Sequence, residues 1–577
     1  MDLGSSKLYQ FQWIRKHKYI ILVIGMLIVW CIAPLCAMAT TRGDDVAFHM
    51  QRIQALAEEL KRGNVFPRIY TTMFAGNGYA TPLFYGDLFL HIPAGLVLCG
   101  ISLTNAYAVF VAVIFVAVTL SMYFCIVSMT QNTKAAFCGA VMYGLSPYLL
   151  TDLIQRAAIG EALAFIFIPV TFLGFYHIMY GKLSKWYLLP LGLAGMLNCH
   201  MLSSVVTVIV LAGFFVVAYK QYVSKPVRLV YVAISAAVFF LLSANFIFPM
   251  LEQMLSGSFL ATDGFSAKIH GTLKRRTMPW WALFYDHALV KDAPWSPQGV
   301  GTACVVFWGI YFCGDKKFRS KTVTFLIIAS AGILFMITDR FPWDYFQKVA
   351  GILQFPWRLL VYPTFFTAVS VALYFTQSGV SKNHGNLMYV IMALSLSSYV
   401  CAGAEHFNTY RDYQVNHVAL DYAYYNAIGA GEYLPSDDQL AEIAGEDYIY
   451  VYVQALTDNA NTVYSDGNPE TSLTRDGDRL VVTFSGMDKD DAYLDVPLLM
   501  YKGYHARMDD GSVLDCEFGT NNRVRVYVGD AREGTVIFEY AGTRIQKISA
   551  FITILSVTAM AGYLFAVPVI SKKKRTG

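Results

Sequence analysis

The stretch Leu83-Phe84-Tyr85-Gly86-Asp87-Leu88-Phe89-Leu90-His91-Ile92-Pro93-Ala94-Gly95-Leu96-Val97-Leu98-Cys99-Gly100 is apolar and close to the about 20 residues a helix needs to cross a membrane. Whether it crosses decides the fold. Twelve other apolar runs lie at 19–39, 105–128, 134–151, 160–180, 186–200, 202–219, 228–250, 300–314, 321–338, 358–377, 386–403 and 547–570. Basic clusters at 15–18, 182–185, 220–228, 316–321 and 572–575 should all face the cytoplasm, because short Lys- and Arg-rich loops stay inside. An odd number of crossings must then separate the first run from 182–185. Counting 83–100 gives an even number and puts that cluster outside. Treating it as a re-entrant or interfacial segment places every basic cluster inside, and Asp87, His91 and Pro93 suit a segment that does not cross. The sequence therefore predicts twelve spans with both termini cytoplasmic.

Composition agrees. The 577 residues have a mean hydropathy of +0.45, with 56% hydrophobic and only 15% charged side chains, where a soluble chain carries about a quarter charged. The aromatic share of 15% fits interfacial belts. A start resembling a signal peptide, ending Ala37-Met38-Ala39, is read as an uncleaved first helix because further spans follow. The net charge of +4 hides an asymmetry: residues 405–546 hold 25 of the 40 acidic side chains against 10 basic ones. No soluble basic domain exists to bind nucleic acid.

The predicted organisation is a transmembrane domain over 1–404 with external loops 41–104 and 251–299, an extracytoplasmic domain over 405–546, and a last span with a basic tail over 547–577. In the acidic domain, 523–528 and 535–540 alternate with strand period. Asp476-Gly477-Asp478, Asp509-Asp510-Gly511 and Glu533-Gly534 supply turns, so a β-sandwich is expected, with a structural or glycan-contacting role. Nine of ten cysteines lie in apolar runs and only Cys516 in the acidic domain, which therefore has no internal disulfide; no Cys/His spacing suggests zinc.

Charge at membrane edges marks the candidate site. After the first run come Gly43-Asp44-Asp45 and then 46–62, where Phe48, Ile53, Leu56 and Leu60 alternate with Arg52, Glu58, Glu59 and Lys61. That spacing predicts an amphipathic helix on the outer surface. One aspartate could cap it; the second needs another reason. Arg156 and Glu161 stand between two spans, either as a salt bridge fixing a loop or as functional ions. His200 follows Asn198-Cys199 at the outer end of a short hairpin, a position more often filled by a hydrogen-bonded interfacial residue than by a ligand. Arg358, in Gln354-Phe355-Pro356-Trp357-Arg358, could snorkel to lipid phosphate or bind a lipid substrate. Lys268, Lys274, Arg275 and Arg276 extend this external cationic set. Few ionisable residues lie mid-span, where a coupled transporter would carry them. The converging picture is an outer-leaflet site with carboxylates beside a surface helix and cations able to hold a phosphate.

These residues resemble a known group. Gly43-Asp44-Asp45-Val46-Ala47-Phe48-His49-Met50-Gln51-Arg52-Ile53, then Phe66-Pro67-Arg68 and Gly76-Asn77-Gly78-Tyr79, the Ser146-Pro147-Tyr148 to Glu161 stretch, the His200 hairpin, the 354–358 loop and Gly431-Glu432-Tyr433-Leu434-Pro435 are similar, in order, to a bacterial and archaeal membrane family labelled "6-pyruvoyl-tetrahydropterin synthase-related". It is akin to YfhO-like proteins and resembles glycosyltransferases of the GT-C type.

The resemblance implies a GT-C architecture with surface jaw helices in the first external loop, 83–100 among them. It also implies a polyprenyl-phosphate sugar donor in the outer leaflet. The family's aspartate stands four residues before its histidine, so Asp45 is implied as catalytic base. Asp44, His49 and Arg52 are implied to line the site, and Arg156, Glu161, His200 and Arg358 to contact phosphate or sugar. The expected activity is inverting transfer of a sugar to a cell-envelope polymer, glycolipid or exported protein, on the outer face of a monoderm prokaryote's plasma membrane. No metal or other cofactor is expected. Two alternatives stand beside it: a lipid-linked-sugar flippase or exporter, which needs a continuous polar path, and a non-catalytic scaffold for envelope assembly.

Overall fold

The computed structural model describes residues 25, 31–32, 35–37, 43–260, 271–284, 299–377, 380, 384–410, 431–436 and 448–576. Most of the run at 19–39, the basic cluster 15–18 and Lys268 lie outside the described residues. The chain is mostly helical, with a separate small β region before its last helix.

Five helices are long and apolar enough to cross a membrane: Leu103–Thr130, Ile159–Met179, Pro356–Phe375, Leu387–Ala404 and Arg544–Ala566. Two helix pairs, Thr133–Gly144 with Pro147–Gln155 and Val227–Leu242 with Ala244–Ser256, pass together but bend by 45° and 70°. By length and composition that gives five to seven candidate crossings among the described residues. Four further runs expected to cross form shorter helices: Leu188–Leu197 of 10 residues, Met201–Val217 of 17, Thr302–Cys313 of 12 and Lys321–Ile337 of 17.

Sequence chemistry accounts for these ends. Ser102 caps Leu103–Thr130 by accepting from the Asn105 N–H, and Gln131 closes it in the left-handed conformation at φ 56°. Asn132 then accepts from the Lys134 and Ala135 N–H groups to start the next helix, the ordinary role of Asn at an N-cap. Ile159–Met179 and Leu188–Leu197 lie almost backbone to backbone, and glycine makes that possible. A Cβ on Gly174 would sit 2.2 Å from Leu189 N, and one on Gly192 would sit 2.3 Å from Thr171 Oγ1.

The deciding stretch at 83–100 does not form a long helix. Thr81–Phe84 is a single turn, Tyr85 is extended, and an apolar helix covers only Leu88–Leu98. At 1.5 Å per residue this spans about 16 Å, roughly half the hydrocarbon depth. Its His91–Leu98 part packs on the helix Val46–Lys61 and on Leu103–Thr130.

The helix Val46–Lys61 forms as expected, but it does not lie with a charged face in solvent. Arg52 and Glu59 are both buried. The Glu59 carboxylate accepts from Thr71 N at 3.1 Å, Thr71 Oγ1 at 2.6 Å and Asn64 Nδ2 at 3.1 Å, so the returning loop covers the face that hydropathy assigned to water.

The β region contains eight strands: β1 Glu470–Asp476, β2 Arg479–Ser485, β3 Tyr493–Leu499, β4 Tyr504–Met508, β5 Val513–Leu514, β6 Glu517–Phe518, β7 Arg523–Tyr527 and β8 Gly534–Tyr540. They form an antiparallel sheet of order β1-β2-β8-β4-β5 and a second of order β3-β7-β6. Leu480, Val482, Phe484, Val536 and Phe538 from the first share one core with Leu494, Val496, Val524 and Val526 from the second. The two strands predicted from alternation are β7 and β8. Gly477, at φ +60°, turns β1 into β2, as the Asp-Gly-Asp sequence predicts.

This region is laced to the first loop. Arg475 Nη1 donates to the Gly76 carbonyl, Leu499 N donates to Asn77 O at 2.8 Å, and Asn77 Nδ2 donates to Leu456 O at 3.1 Å. The segment 431–436 threads between them: Tyr501 hydroxyl donates to Tyr433 O at 3.0 Å, and Phe84 stacks on Tyr433 with centroids 5.3 Å apart.

Candidate functional site

Asp44 and Asp45 meet the chain again at the break between two apolar helices. Ser146-Pro147 ends the helix Thr133–Gly144, since proline disfavours helix at the residue before it. A short turn and a π-helical segment Thr151–Gln155 follow, an irregularity frequent at functional sites. Asp44 N then donates to Gln155 O at 3.1 Å and Asp45 N to Arg156 O at 2.8 Å. Gly43 is required there, because a Cβ would sit 2.7 Å from the Ile154 carbonyl oxygen. Ala157, at φ +53°, carries the left-handed strain of the turn.

Asp45 stands at the N-cap position of Val46–Lys61, yet its side chain makes no capping bond. The capping explanation therefore fails for its carboxylate. Burial pushes the Asp45 carboxyl up to about 6; Arg156 pulls down, Asp44 and Glu432 push up, and Arg358 pulls down. Both arginines thus lie within its electrostatic reach.

Beneath it lies an ion network. Arg156 Nη1 donates to Asp152 Oδ1 at 2.5 Å and to Glu161 Oε2 at 3.0 Å. Arg358 Nε donates to the same Glu161 oxygen at 3.2 Å, and Tyr148 hydroxyl donates to Glu161 Oε1 at 2.5 Å. Arg358 Nη1 is aimed by the Gln354 Oε1 at 2.6 Å and the Leu353 carbonyl at 3.2 Å. The Arg156 and Arg358 side chains keep a small exposed share, 13% and 12%, whereas those of Glu161 and Asp152 are closed off at 4% and 0%. The Arg156–Glu161 pair expected from sequence exists, and the structure adds Arg358 to it from nearly two hundred residues away.

The two histidines are neutral. His200 is pushed down to about 3, first by burial and then by Arg358. His49 is held well below the ordinary imidazole range by burial, with Arg52 and His200 adding to it. His200 Nδ1 accepts from Ser203 N at 3.3 Å and meets Ser203 Oγ at 2.7 Å; when this nitrogen accepts both, the neutral ring carries its proton on Nε2. His200 thus caps the helix Met201–Val217, the structural role first weighed for it. It also packs edge-on to Tyr85 at 6.0 Å, and Tyr85 lies 6.2 Å from His49.

Arg52 behaves differently from its expected role as a lining residue. It is 1% exposed, its Nη2 donates to Tyr85 O at 3.2 Å and Gly86 O at 2.9 Å, and its guanidinium lies 4.3 Å from the Tyr85 ring centroid. It holds the 85–86 segment in place. Of the outer cations, Lys274 is paired with Asp344 at 2.6 Å, while Arg276 lies 5.6 Å from the Phe355 ring whose centroid is 5.0 Å from Arg358.

Tyr148, Asp152, Tyr85 and Glu432 were not singled out from sequence as site residues. Tyr148 and Glu432 stood inside quoted motifs, which was the available signal. Asp152 stood between the runs 134–151 and 160–180, unremarked within the stretch from Ser146 to Glu161. Among the described residues no three His, Cys, Asp or Glu side chains converge as metal ligands.

No family model matches the chain. It is similar to an uncharacterized protein of Lactococcus lactis subsp. cremoris (strain MG1363), 25% identical over 228 residues, covering 37% of this chain and 36% of the relative. The match thus spans about a third of that relative's length.

Proposed function

We propose that the protein is a GT-C-type, YfhO-like glycosyltransferase that uses a polyprenyl-phosphate sugar on the outer face of the plasma membrane. One observation carries this reading: a carboxylate with no side-chain capping bond, Asp45, stands within electrostatic reach of two partly open arginine side chains, Arg156 and Arg358, at one end of an apolar helix bundle. A carboxyl pushed up to about 6 is matched to general-base work near neutral pH. Asp45 takes the proton of an acceptor hydroxyl as its oxygen bonds to the sugar's anomeric carbon. The bond from that carbon to the phosphate oxygen breaks, and the lipid phosphate leaves with the electron pair. Arg358 and Arg156 stabilise the charge that develops on it, and neutral His200 offers Nε2–H to a sugar or phosphate oxygen.

The same proposal places the first loop and the β region outside, with twelve crossings and both termini in the cytoplasm. The acceptor is an envelope polymer, a glycolipid or an exported protein. Membranes from cells expressing wild type or Asp45→Asn test it. Loss of one sugar from the envelope glycans, with accumulation of its polyprenyl-phosphate form by mass spectrometry, is expected. An unchanged glycan profile with a well-expressed mutant protein would sink the assignment and favour a scaffold.

A further inference from the structure

A cavity of about 790 Å³ lies outside the charged cluster, between the last helix and the bent helix pair. None of Asp45, Arg156, Glu161, His200 or Arg358 lines it. At its boundary Gly86 touches Asn198, where a Cβ would sit 2.3 Å from the carbonyl oxygen; beyond that seam are His49 and Arg52. Its volume is that of a small-ligand site, but its lining is split along its length. Leu191, Ala194, Leu242, Ile554 and Val557 make apolar walls, whereas Arg68, Lys547, Gln546 and Asn245 gather at one end.

The polar end carries positive charge. Both terminal nitrogens of Arg68 donate to Asn245, one to its carbonyl and one to its side-chain oxygen. Among the described residues no carboxylate lies within ion-pair distance of Arg68. Lys547 is exposed at the rim. Asp87, the only acidic residue on the wall among the described residues, is engaged by the Tyr70 hydroxyl at 2.9 Å. Ser243, at the 70° break of the helix pair, is 1% exposed and its hydroxyl has no hydrogen-bond partner. From Lys547 to Thr558 the cavity follows the last helix for about 16 Å at 1.5 Å per residue. That is the apolar depth of about one leaflet.

We infer that this cavity binds a membrane lipid bearing a phosphate head group, with Arg68 and Lys547 at the phosphate and the chains between the last helix and Leu188–Leu197. A phosphate on hydrocarbon chains could be a bulk phospholipid or an isoprenyl phosphate. The site stands whether or not Asp45 transfers a sugar.

Native mass spectrometry of the full-length protein in detergent, titrated with dioleoylphosphatidylglycerol, undecaprenyl phosphate or dioleoylglycerol, tests it. Either phosphate lipid should bind, and the better of the two names the source; dioleoylglycerol should bind at least about tenfold more weakly. Arg68→Gln should weaken the phosphate lipids about tenfold or more. Because Arg68 also ties Asn245, Val557→Trp is the second variant: it fills the apolar half from an exposed position and should displace all chains. Equal binding of dioleoylglycerol would overturn the inference. So would phosphate-lipid binding that survives Val557→Trp but is lost in Arg358→Gln, which would place the lipid at the charged cluster instead.

Discussion

Asp495 and Asp45 are both aspartates beside arginines, and the contrast between them separates support from chemistry. Asp495, on β3, is wholly buried; Arg525 donates to both its oxygens at 2.6 and 2.7 Å, and Thr520 N adds a third bond at 2.9 Å. A Cβ on Gly519 would lie 2.2 Å from its Oδ1, so no space remains for another partner. Asp45 has two arginines in electrostatic range, yet Arg156 bonds Asp152, Glu161 and Tyr148, and Arg358 bonds Glu161, Gln354 and the Leu353 carbonyl. A buried carboxylate bonded at both oxygens holds a fold together; one left short of bonds, with its carboxyl pushed upward, is the candidate for proton transfer.

The contrast can be broken by substitution. Asp45→Asn should lower sugar transfer by about 10²–10⁴-fold with normal expression, measured on membranes with a radiolabelled lipid-linked donor. Arg525→Ala should leave Asp495 buried and unpaired at a cost of about 3–5 kcal/mol, seen as early proteolytic loss of the β region in the intact protein. If the two phenotypes were exchanged, the distinction would collapse. Arg358→Lys keeps the charge but loses the planar fork; about a tenfold fall in kcat/KM is expected in the same assay, and full activity would remove Arg358 from the phosphate.

Acidity sharpens the comparison further. A base whose carboxyl sits near 6 must be ionised to work, so turnover should fall about tenfold per pH unit below that value and level off above it. A rate indifferent to pH between 5 and 7 would contradict the role. For stability the sign reverses. The folded value lies above the ordinary 3.8, so the fold favours the protonated form, and that advantage is lost as pH rises through about 6. Asp45→Asn should therefore unfold at an equal or slightly higher temperature than wild type at pH 7.5, the smallest effect of the set and opposite to that of Arg525→Ala.

Much of this was legible in the chain. The count of basic clusters set 83–100 apart from the spans, and that stretch forms no long helix; β7 and β8 followed from alternation. Asp45, Arg156, Glu161, His200 and Arg358 are gathered at one place, although they lie far apart in sequence. What stayed hidden had physical causes. Hydropathy windows average across Ser146-Pro147 and Ser243, so bent pairs read as straight spans, and Asp152 fell just past the end of one. Glu59 looked solvent-facing because nothing in its own helix reveals that Thr71 and Asn64 return to cover it. Arg52 looked like a ligand contact because a buried arginine serving backbone carbonyls has the same local sequence as one serving a phosphate.

The lacing of the first loop to the β region also sets a timetable. Gly76 and its brace Arg475 are 399 positions apart, and Asn77 and Leu456 are 379 apart. At about 5–20 residues per second of synthesis, the loop that carries Asp45 waits roughly 20–80 s for the residues that hold it. During that interval Gly76 and Asn77 lack their late partners, whereas Glu59 already has Asn64 and Thr71 to enclose it. A ribosome that stalls or terminates before Leu456 and Arg475 therefore leaves the first loop without the groups that brace Gly76 and Asn77.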